Sequence, residues 1–183
     1  DITRTWNHSD QFVIHIVNEL NRAEIPDSDI CILFAQGTHR AQTPEEDIRV
    51  VGKEVASRIK LYQHDCKNKD ELVHVGDTKL GTPVWINKHA VDADKVIVVD
   101  GITTHLFAGY GGGRKLILPG VAGDESIQIN HCNALGAEFG SGINPATRST
   151  LLDHNPVSED MQEASDMIKP CFLVHSIVNA DGQ

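Results

Sequence analysis

The sequence predicts an α/β fold in which a mostly parallel sheet carries helices on both faces, with an added β-hairpin. Short, continuous apolar runs that end in glycine, at 30–37 and 94–101, are typical of strands buried on both faces. Segments with helical periodicity separate these runs along the chain. Because strands that alternate with helices pair in parallel through crossover connections, this order indicates a Rossmann-like sheet.

The first half of the chain predicts two helices. Ser9 is a candidate cap for the first, whose apolar residues recur about every 3.6 positions. Thr43, Pro44 and Glu46 form a capping box with proline at the first helical position, which predicts that the second helix starts there. A further strand is predicted at 60–65. The residues expected to face the core are Phe12, Val13, Ile16, Val17 and Leu20 in the first helix, and Ile48, Val51, Val55 and Ile59 in the second.

The second half of the chain alternates in the same way. Residues around Gly76 and Gly81 alternate between apolar and polar, which is typical of a β-hairpin. The remaining predicted elements are the hairpin at 71–87, the strand at 94–101, helices at 124–135 and 158–168, and a last strand at 171–179.

Composition limits the class of protein. The chain has 183 residues, 40% of them apolar, which suits a single α/β domain spanning residues 1–183. No apolar run approaches the length of a membrane span, and the formal charge of −10 argues against a nucleic-acid partner. The cysteines form no C-x-x-C pair and are widely spaced, which favours reduced thiols in the cytoplasm. They are Cys31, Cys66, Cys132 and Cys171.

Two histidines follow predicted buried strands directly. His39 lies in the stretch "GTHR" and His105 in "GITTH". Ligand sites of open α/β sheets lie beyond the carboxyl ends of the strands. The sequence therefore predicts that these imidazoles reach the same edge of the sheet.

A glycine-rich loop, "THLFAGYGGGRKLILPG" at 103–119, follows the second of these strands. It is not a P-loop, because Gly109 and Gly113 enclose three residues instead of four and Leu116 occupies the hydroxyl position. It also lacks the third glycine of the dinucleotide-binding pattern, since Arg114 stands there. Its glycines still suit an anion, although the loop could equally be a mobile solvent loop.

Four stretches in order resemble the nickel-dependent lactate racemase family. "DITR" is similar to the family's Asp-x-Thr-Arg turn, and "GTHR" followed by "TPEE" is similar to its Gly-x-His-Arg helix start. The glycine-rich loop resembles its His-Phe-Phe-Ala-Gly-Phe-x-Gly-Gly-Arg-Lys signature, and "INH" at 129–131 matches a later histidine. The resemblance covers nearly the whole chain and implies a racemase or epimerase of lactate-like 2-hydroxy acids.

The resemblance also implies a cofactor and roles for individual residues. The family carries a nickel pincer nucleotide, a pyridinium-3,5-bisthiocarboxylic acid mononucleotide that binds Ni. Proteins that make and insert this cofactor would be partners, beside the small-molecule substrate. The implied assignments are Lys115 as the covalent tether, Gly112, Gly113 and Arg114 as further cofactor-binding residues, His131 as the nickel ligand, His39 and His105 as the acid/base pair, and Arg4 with Asp1 at the substrate end.

The chemistry of such a reaction matches these residue types. Racemisation by hydride transfer requires a base for the hydroxyl proton of either enantiomer, and histidine titrates near neutrality. A planar arginine fork such as Arg4 suits the substrate carboxylate. Nickel prefers nitrogen and sulfur donors, so a cofactor that brings its own sulfur and carbon would need one protein imidazole, His131.

Some features depart from the family pattern. Thr5 stands where proline is usual, and Tyr110 with Gly111 replaces Phe-Ser, which leaves the choice of substrate open. The family's second, C-terminal domain has no counterpart in this sequence, which is expected to be cut from a longer protein at both ends. We therefore expect little or no turnover from residues 1–183 alone.

Two other functions remain open at this stage. His39, His105 and His131 could surround zinc in a metal-dependent hydrolase, although no Asp or Glu has a convincing ligand spacing. The chain could instead be a binding domain that kept the fold and lost catalysis.

Overall fold

The computed structural model describes residues 1–3, 7–138 and 140–179. It has a mixed α/β fold. In chain order, the described helices and strands are α1 (Ser9–Arg22), β1 (Cys31–Phe34), α2 (Pro44–Val51), α3 (Lys53–Arg58), β2 (Lys60–Gln63), β3 (Leu72–Asp77), β4 (Pro83–Asn87), α4 (Lys88–Val91), β5 (Ile97–Gly101), β6 (Thr104–His105), β7 (Gly109–Tyr110), α5 (Asp124–Cys132), α6 (Pro156–Ile168) and β8 (Phe172–Ser176). Short 3₁₀ helices cover Asp27–Asp29, Lys69–Glu71 and Gly113–Leu116.

The strands pair in small sheets. β1 pairs with β2 in parallel, and β5 pairs with β8 in parallel. β3 and β4 form the predicted antiparallel hairpin, with a register shift between His74 and Gly76. β6 and β7 form a two-residue antiparallel pair. Within the described ranges the strands thus form four two-stranded sheets, and not the one mostly parallel sheet that the sequence predicts.

Two apolar cores hold these elements together. The smaller core lies among α1, α2, α3 and β1, and the larger core packs α5 and α6 against β4 and β5. The larger core also buries Leu118, at the carboxyl end of the glycine-rich loop, and Ala122, which follows the loop. Because fully burying an apolar side chain of this size contributes about 1.5–3 kcal/mol, the loop is anchored at its carboxyl end.

The second predicted helix is interrupted. Its capping box is confirmed, because the Thr43 hydroxyl accepts from the Glu46 N–H and the Glu46 carboxylate accepts from the Thr43 N–H. However, the chain breaks at Gly52, whose φ of 85° separates α2 from α3. A Cβ at Gly52 would lie 3.0 Å from the Asp10 carbonyl oxygen, so the break follows from the close approach of α1.

This interruption changes which residues reach the core. Val51, Val55 and Ile59 are buried as predicted, but Ile48 is 38% exposed. Ser9 is also not a cap: it lies within α1, where its hydroxyl donates to the Val50 carbonyl at 2.7 Å, and His8 occupies the cap position.

No helix in the described part of the chain is both long and apolar enough to cross a membrane.

His64 is a buried histidine that joins the hairpin to the larger core. Its Nε2–H donates to the Ala122 carbonyl at 2.9 Å, and the Asn87 amide donates to its Nδ1 at 3.2 Å. Burial lowers the pKa of His64, and this effect exceeds the opposing influence of the Ala122 carbonyl and of Asp65 and Glu71.

This histidine predicts a loss of stability on mild acidification. The unfolded chain takes up a proton at His64 near the ordinary histidine pKa of about 6.5, whereas the folded chain resists it. The free energy of unfolding should therefore fall as the pH drops from 8 to about 5.5. Urea unfolding at both values should give a smaller drop for His64→Gln than for the wild type. His15→Gln, which replaces a histidine at an exposed site on α1, is the control for the loss of the buried His64.

Candidate functional site

The glycine-rich loop folds into a turn that buries a lysine. Gly112 and Gly113 have φ values of 78° and 55°, a region that favours glycine. They lead into the 3₁₀ helix Gly113–Leu116, where the Lys115 N–H donates to the Gly112 carbonyl at 3.1 Å. Lys115 is only 9% exposed. The loop thus holds an amine among packed residues, where lysine is rarely found without a function or a partner.

The turn after β1 carries His39. Its Nδ1 lies 2.7 Å from the Asp1 carboxylate and 2.7 Å from the Thr3 hydroxyl, which itself donates to Asp1. A carboxylate only accepts hydrogen bonds, so Nδ1 of His39 carries the hydrogen. In the neutral imidazole, Nε2 is then the accepting nitrogen.

Backbone hydrogen bonds connect this turn to the lysine. The Gly37 N–H donates to the Gly120 carbonyl at 2.8 Å, and the Gly120 N–H donates to the Lys115 carbonyl at 2.9 Å. The φ of Gly37 is 56°, and a Cβ there would lie 3.4 Å from the Pro119 carbonyl oxygen. The segment that bears His39 therefore packs directly on the segment that follows Lys115.

His105 and His131 meet at one aromatic ring. The ring centroid of Phe107 lies 4.7 Å from that of His105 and 5.2 Å from that of His131, and both contacts are edge-to-face. His131 belongs to α5, whereas His105 ends β6. The predicted nickel ligand and one predicted acid/base histidine are thus neighbours, although 26 positions separate them in the chain.

His105 has the opposite hydrogen-bonding pattern to His39. The Ala108 N–H donates to its Nδ1 at 3.2 Å, so in the neutral imidazole the hydrogen is on Nε2. One imidazole therefore offers an accepting Nε2, and the other offers an Nε2–H.

Arg114 is directed towards α6. Its guanidinium donates to the Ala108 carbonyl at 3.1 Å and to the Ser158 hydroxyl at 2.8 Å. Burial lowers the pKa of Arg114. It also lines a pocket of about 440 Å³ together with Asp166 and Lys169 of the α6 end, a pocket that includes neither Lys115 nor the three histidines.

Other predicted residues are placed as follows. Asp1, expected at the substrate end, contacts His39. Arg4 lies outside the described residues. Gly112 and Gly113 contact His175 of β8, since a Cβ at Gly112 would lie 3.6 Å from its Cε1 and one at Gly113 would lie 3.8 Å from its Nε2.

Sequence reasoning missed two residues that shape this region. His175 is not recognisable from local sequence, because only the pairing of β8 with β5 brings it to the loop. Asn155 received no role, yet its side chain caps α6 and its amide donates to the Phe107 carbonyl at 2.8 Å. The "NP" dipeptide at 155–156 could have revealed the cap, since asparagine before proline is a common helix start.

Histidine, cysteine, aspartate and glutamate side chains do not gather in threes at any point of the described ranges where a metal ion could bind.

The fold and this arrangement define a mixed α/β domain whose glycine-rich loop carries His105 and the buried Lys115 and contacts His131 of α5 through Phe107. Residues 1–141 match the family model of the lactate racemase N-terminal domain. The chain therefore belongs to the lactate racemase N-terminal domain family.

Individual relatives agree with this assignment. The lactate racemase of Lactiplantibacillus plantarum is 35% identical over 161 residues, which cover 87% of this chain and 36% of that protein. The lactate racemase of Thermoanaerobacterium thermosaccharolyticum is 35% identical over 160 residues, which cover 84% of this chain and 36% of that protein. The chain thus spans little more than a third of the length of these relatives.

Solved structures show the same fold. The lactate racemase apoprotein of T. thermosaccharolyticum superposes with a TM-score of 0.89 at 30% identity, over 100% of this chain and 42% of that one. A protein from Thermotoga maritima superposes with a TM-score of 0.76 at 20% identity, over 98% of this chain and 45% of that one, which is a likeness of fold alone.

Proposed function

We propose that this chain supplies the cofactor-binding and proton-transferring residues of a racemase that interconverts the enantiomers of a lactate-like 2-hydroxy acid. The observation that carries the proposal is the opposite hydrogen-bonding pattern of His39 and His105. A racemase needs a group that accepts the hydroxyl proton of one enantiomer and a group that returns a proton to form the other. An accepting Nε2 and a donating Nε2–H meet that need at once.

Asp1 supports the role of His39. When His39 takes the hydroxyl proton it becomes an imidazolium, and the adjacent carboxylate stabilises that charge and holds the ring in one orientation. We propose that Arg4, three positions along the chain, pairs with the substrate carboxylate, as a planar guanidinium does with two oxygens.

The residues present fit a nickel pincer nucleotide. Gly112 and Gly113, both with positive φ, form the turn directly before the buried Lys115, and this position suits a covalent tether at the lysine amine. A nickel ion that brought sulfur and carbon ligands of its own would need one further nitrogen, and we assign that role to His131, whose ring contacts Phe107. When bound, such a group would supply an electrophilic ring carbon as a hydride acceptor.

The side chains of this protein would transfer the proton and support the site. His39 and His105 move the hydroxyl proton, and the apolar Phe107 ring contacts the imidazoles of His105 and His131. Arg114, anchored to Ala108 and Ser158, holds the lysine-bearing turn in place. The four free thiols are consistent with work in the cytoplasm, where thiols stay reduced.

The test uses the intact protein, produced together with the proteins that make and insert the cofactor. L-lactate and D-lactate are each offered, and the opposite enantiomer is measured by chiral chromatography. A panel of other 2-hydroxy acids identifies the preferred substrate. Mass spectrometry of the peptide that contains Lys115 should reveal the added mass of the cofactor.

The outcomes separate the alternatives. Racemisation together with a modified Lys115 supports the proposal. An unmodified Lys115 in protein that racemises lactate would contradict the tether, and hydrolysis of a substrate in zinc-loaded protein would favour the hydrolase. A modified Lys115 without turnover of any hydroxy acid would favour a binding domain.

A further inference from the structure

A buried acid on α6 contacts the helix that carries His131. The carboxyl group of Asp160 is 1% exposed and accepts hydrogen bonds from the hydroxyls of Thr78 and Thr82, the latter at 2.8 Å. The Asn130 amide donates to the same group at 2.7 Å. Asp160 therefore connects the β3–β4 hairpin, α5 and α6 at one point inside the protein.

The Asn130 side chain can take only one orientation here. Its amide nitrogen donates to Asp160 and also to the Val157 carbonyl at 3.2 Å. If the amide were reversed, its oxygen would face two acceptors, which is repulsive. Asn130 is fully buried, so these two bonds fix α5 about its own axis relative to α6.

The rotation of α5 sets the direction of the next residue. His131 follows Asn130 directly, and successive side chains of a helix are about 100° apart around the axis. With Asn130 held against α6, His131 is directed to the Phe107 ring. The Phe107 carbonyl is itself held by Asn155, the cap of α6. Residues of α6 and its cap therefore position both His131 and Phe107, the two partners of this ring contact.

We propose that Asp160, acting through Asn130, is a positioning residue that sets the direction of the His131 imidazole. The expected effect on catalysis rests on the proposed function. The orientation of His131 can be measured without cofactor or turnover. Removal of a residue that orients a metal ligand typically costs about 10- to 100-fold in metal affinity or activity.

Asp160→Asn tests this directly. The new amide keeps the shape of the side chain but replaces one of the two accepting oxygens with a donor, so the three groups that donate to Asp160 compete for a single acceptor. The ¹H NMR signals of the His131 ring, assigned by their loss in His131→Gln, carry a shift from the Phe107 ring. We expect this shift to be lost in Asp160→Asn. In cofactor-loaded protein, kcat should fall about 10- to 100-fold while KM stays unchanged.

Thr82→Val is the matched control. It removes one hydrogen bond to the same carboxyl group from the hairpin side and leaves the bond to Asn130 intact. Both variants should lower the free energy of unfolding, but Thr82→Val should keep the His131 shift. If Asp160→Asn does not fold, Asn130→Ala breaks the same connection and should give the same loss of shift.

Two results would overturn the inference. One is an unchanged His131 shift in folded Asn130→Ala, in which no side-chain hydrogen bond from position 130 to Asp160 can form. The other is an equal change in Thr82→Val, which would show that Asp160 acts only on stability. Neither result depends on racemisation, so the inference can fail while the proposed function stands. Conversely, full racemase activity in His131→Gln would refute the proposed role of His131 as nickel ligand. It would leave the His131 shifts measured in Asp160→Asn, Asn130→Ala and Thr82→Val valid.

Discussion

Gly109→Ala is expected to lower the free energy of unfolding by about 2–5 kcal/mol. About 1–2 kcal/mol comes from the backbone, since Gly109 has a φ of 78° that residues with a Cβ rarely adopt. A further 1–3 kcal/mol or so comes from overpacking, because the new Cβ would lie 2.3 Å from the Leu151 carbonyl oxygen. That oxygen belongs to backbone held by Asn155, so it cannot easily move away.

Gly81→Ala separates the two contributions. Gly81 has a φ of 82°, almost the same as Gly109, but a Cβ there would have no atom within 4 Å. Urea unfolding should therefore give a loss of about 1–2 kcal/mol for Gly81→Ala, from the backbone alone. Equal losses in the two variants would mean that the contact with Leu151 contributes nothing.

The same substitution should disturb the site. Gly109 pairs with His105 in the β6–β7 ladder, and the Thr150 N–H donates to its carbonyl at 3.0 Å. Pushing Gly109 away from Leu151 therefore displaces the strand opposite His105. The glycine is needed for close backbone approach, a reason that the sequence alone did not distinguish from flexibility in solvent.

Local patterns of the sequence predicted most of the secondary structure. The capping box at Thr43 and Glu46 and the alternation around Gly76 depend on residues within a few positions of each other, and both features are present. The break at Gly52 was not predictable in this way, because its cause is the approach of Asp10, which is 42 positions away. The pairing of strands in separate small sheets is also a long-range property that periodicity does not encode.

The candidate site likewise has some features that local sequence predicts and others that depend on contacts between residues distant in the chain. His39 follows β1 and His105 follows β5, as the sequence predicts, but β1 and β5 lie in separate two-stranded sheets among the described residues, so the two histidines do not share the predicted sheet edge. The contact of Asp1 with His39 joins residues 38 positions apart, and that of Asp160 with Asn130 joins residues 30 positions apart. Asp160 is a polar residue in a helix with an apolar face, and only its burial distinguishes it from the solvent-exposed acids of α6.

In the intact, cofactor-loaded protein, His39→Ala and His105→Ala should each slow lactate racemisation about 10²- to 10⁴-fold, the usual contribution of a general acid or base. The two enantiomers have equal free energy in water, so kcat/KM must fall by the same factor in both directions. Chiral chromatography from each pure enantiomer measures both values. His15→Gln, at an exposed site on α1, should keep wild-type rates.

Asp1→Asn tests why His39 is suited to its role. Asparagine keeps the size of the side chain, but its amide can donate to Nδ1 of His39, which moves the imidazole hydrogen to Nε2 and removes the accepting nitrogen. It also removes the charge that stabilises the imidazolium. We therefore expect Asp1→Asn to reduce kcat nearly as much as His39→Ala, and the double variant to be no slower than His39→Ala alone. Additive losses would instead assign Asp1 a separate task, such as binding the substrate hydroxyl.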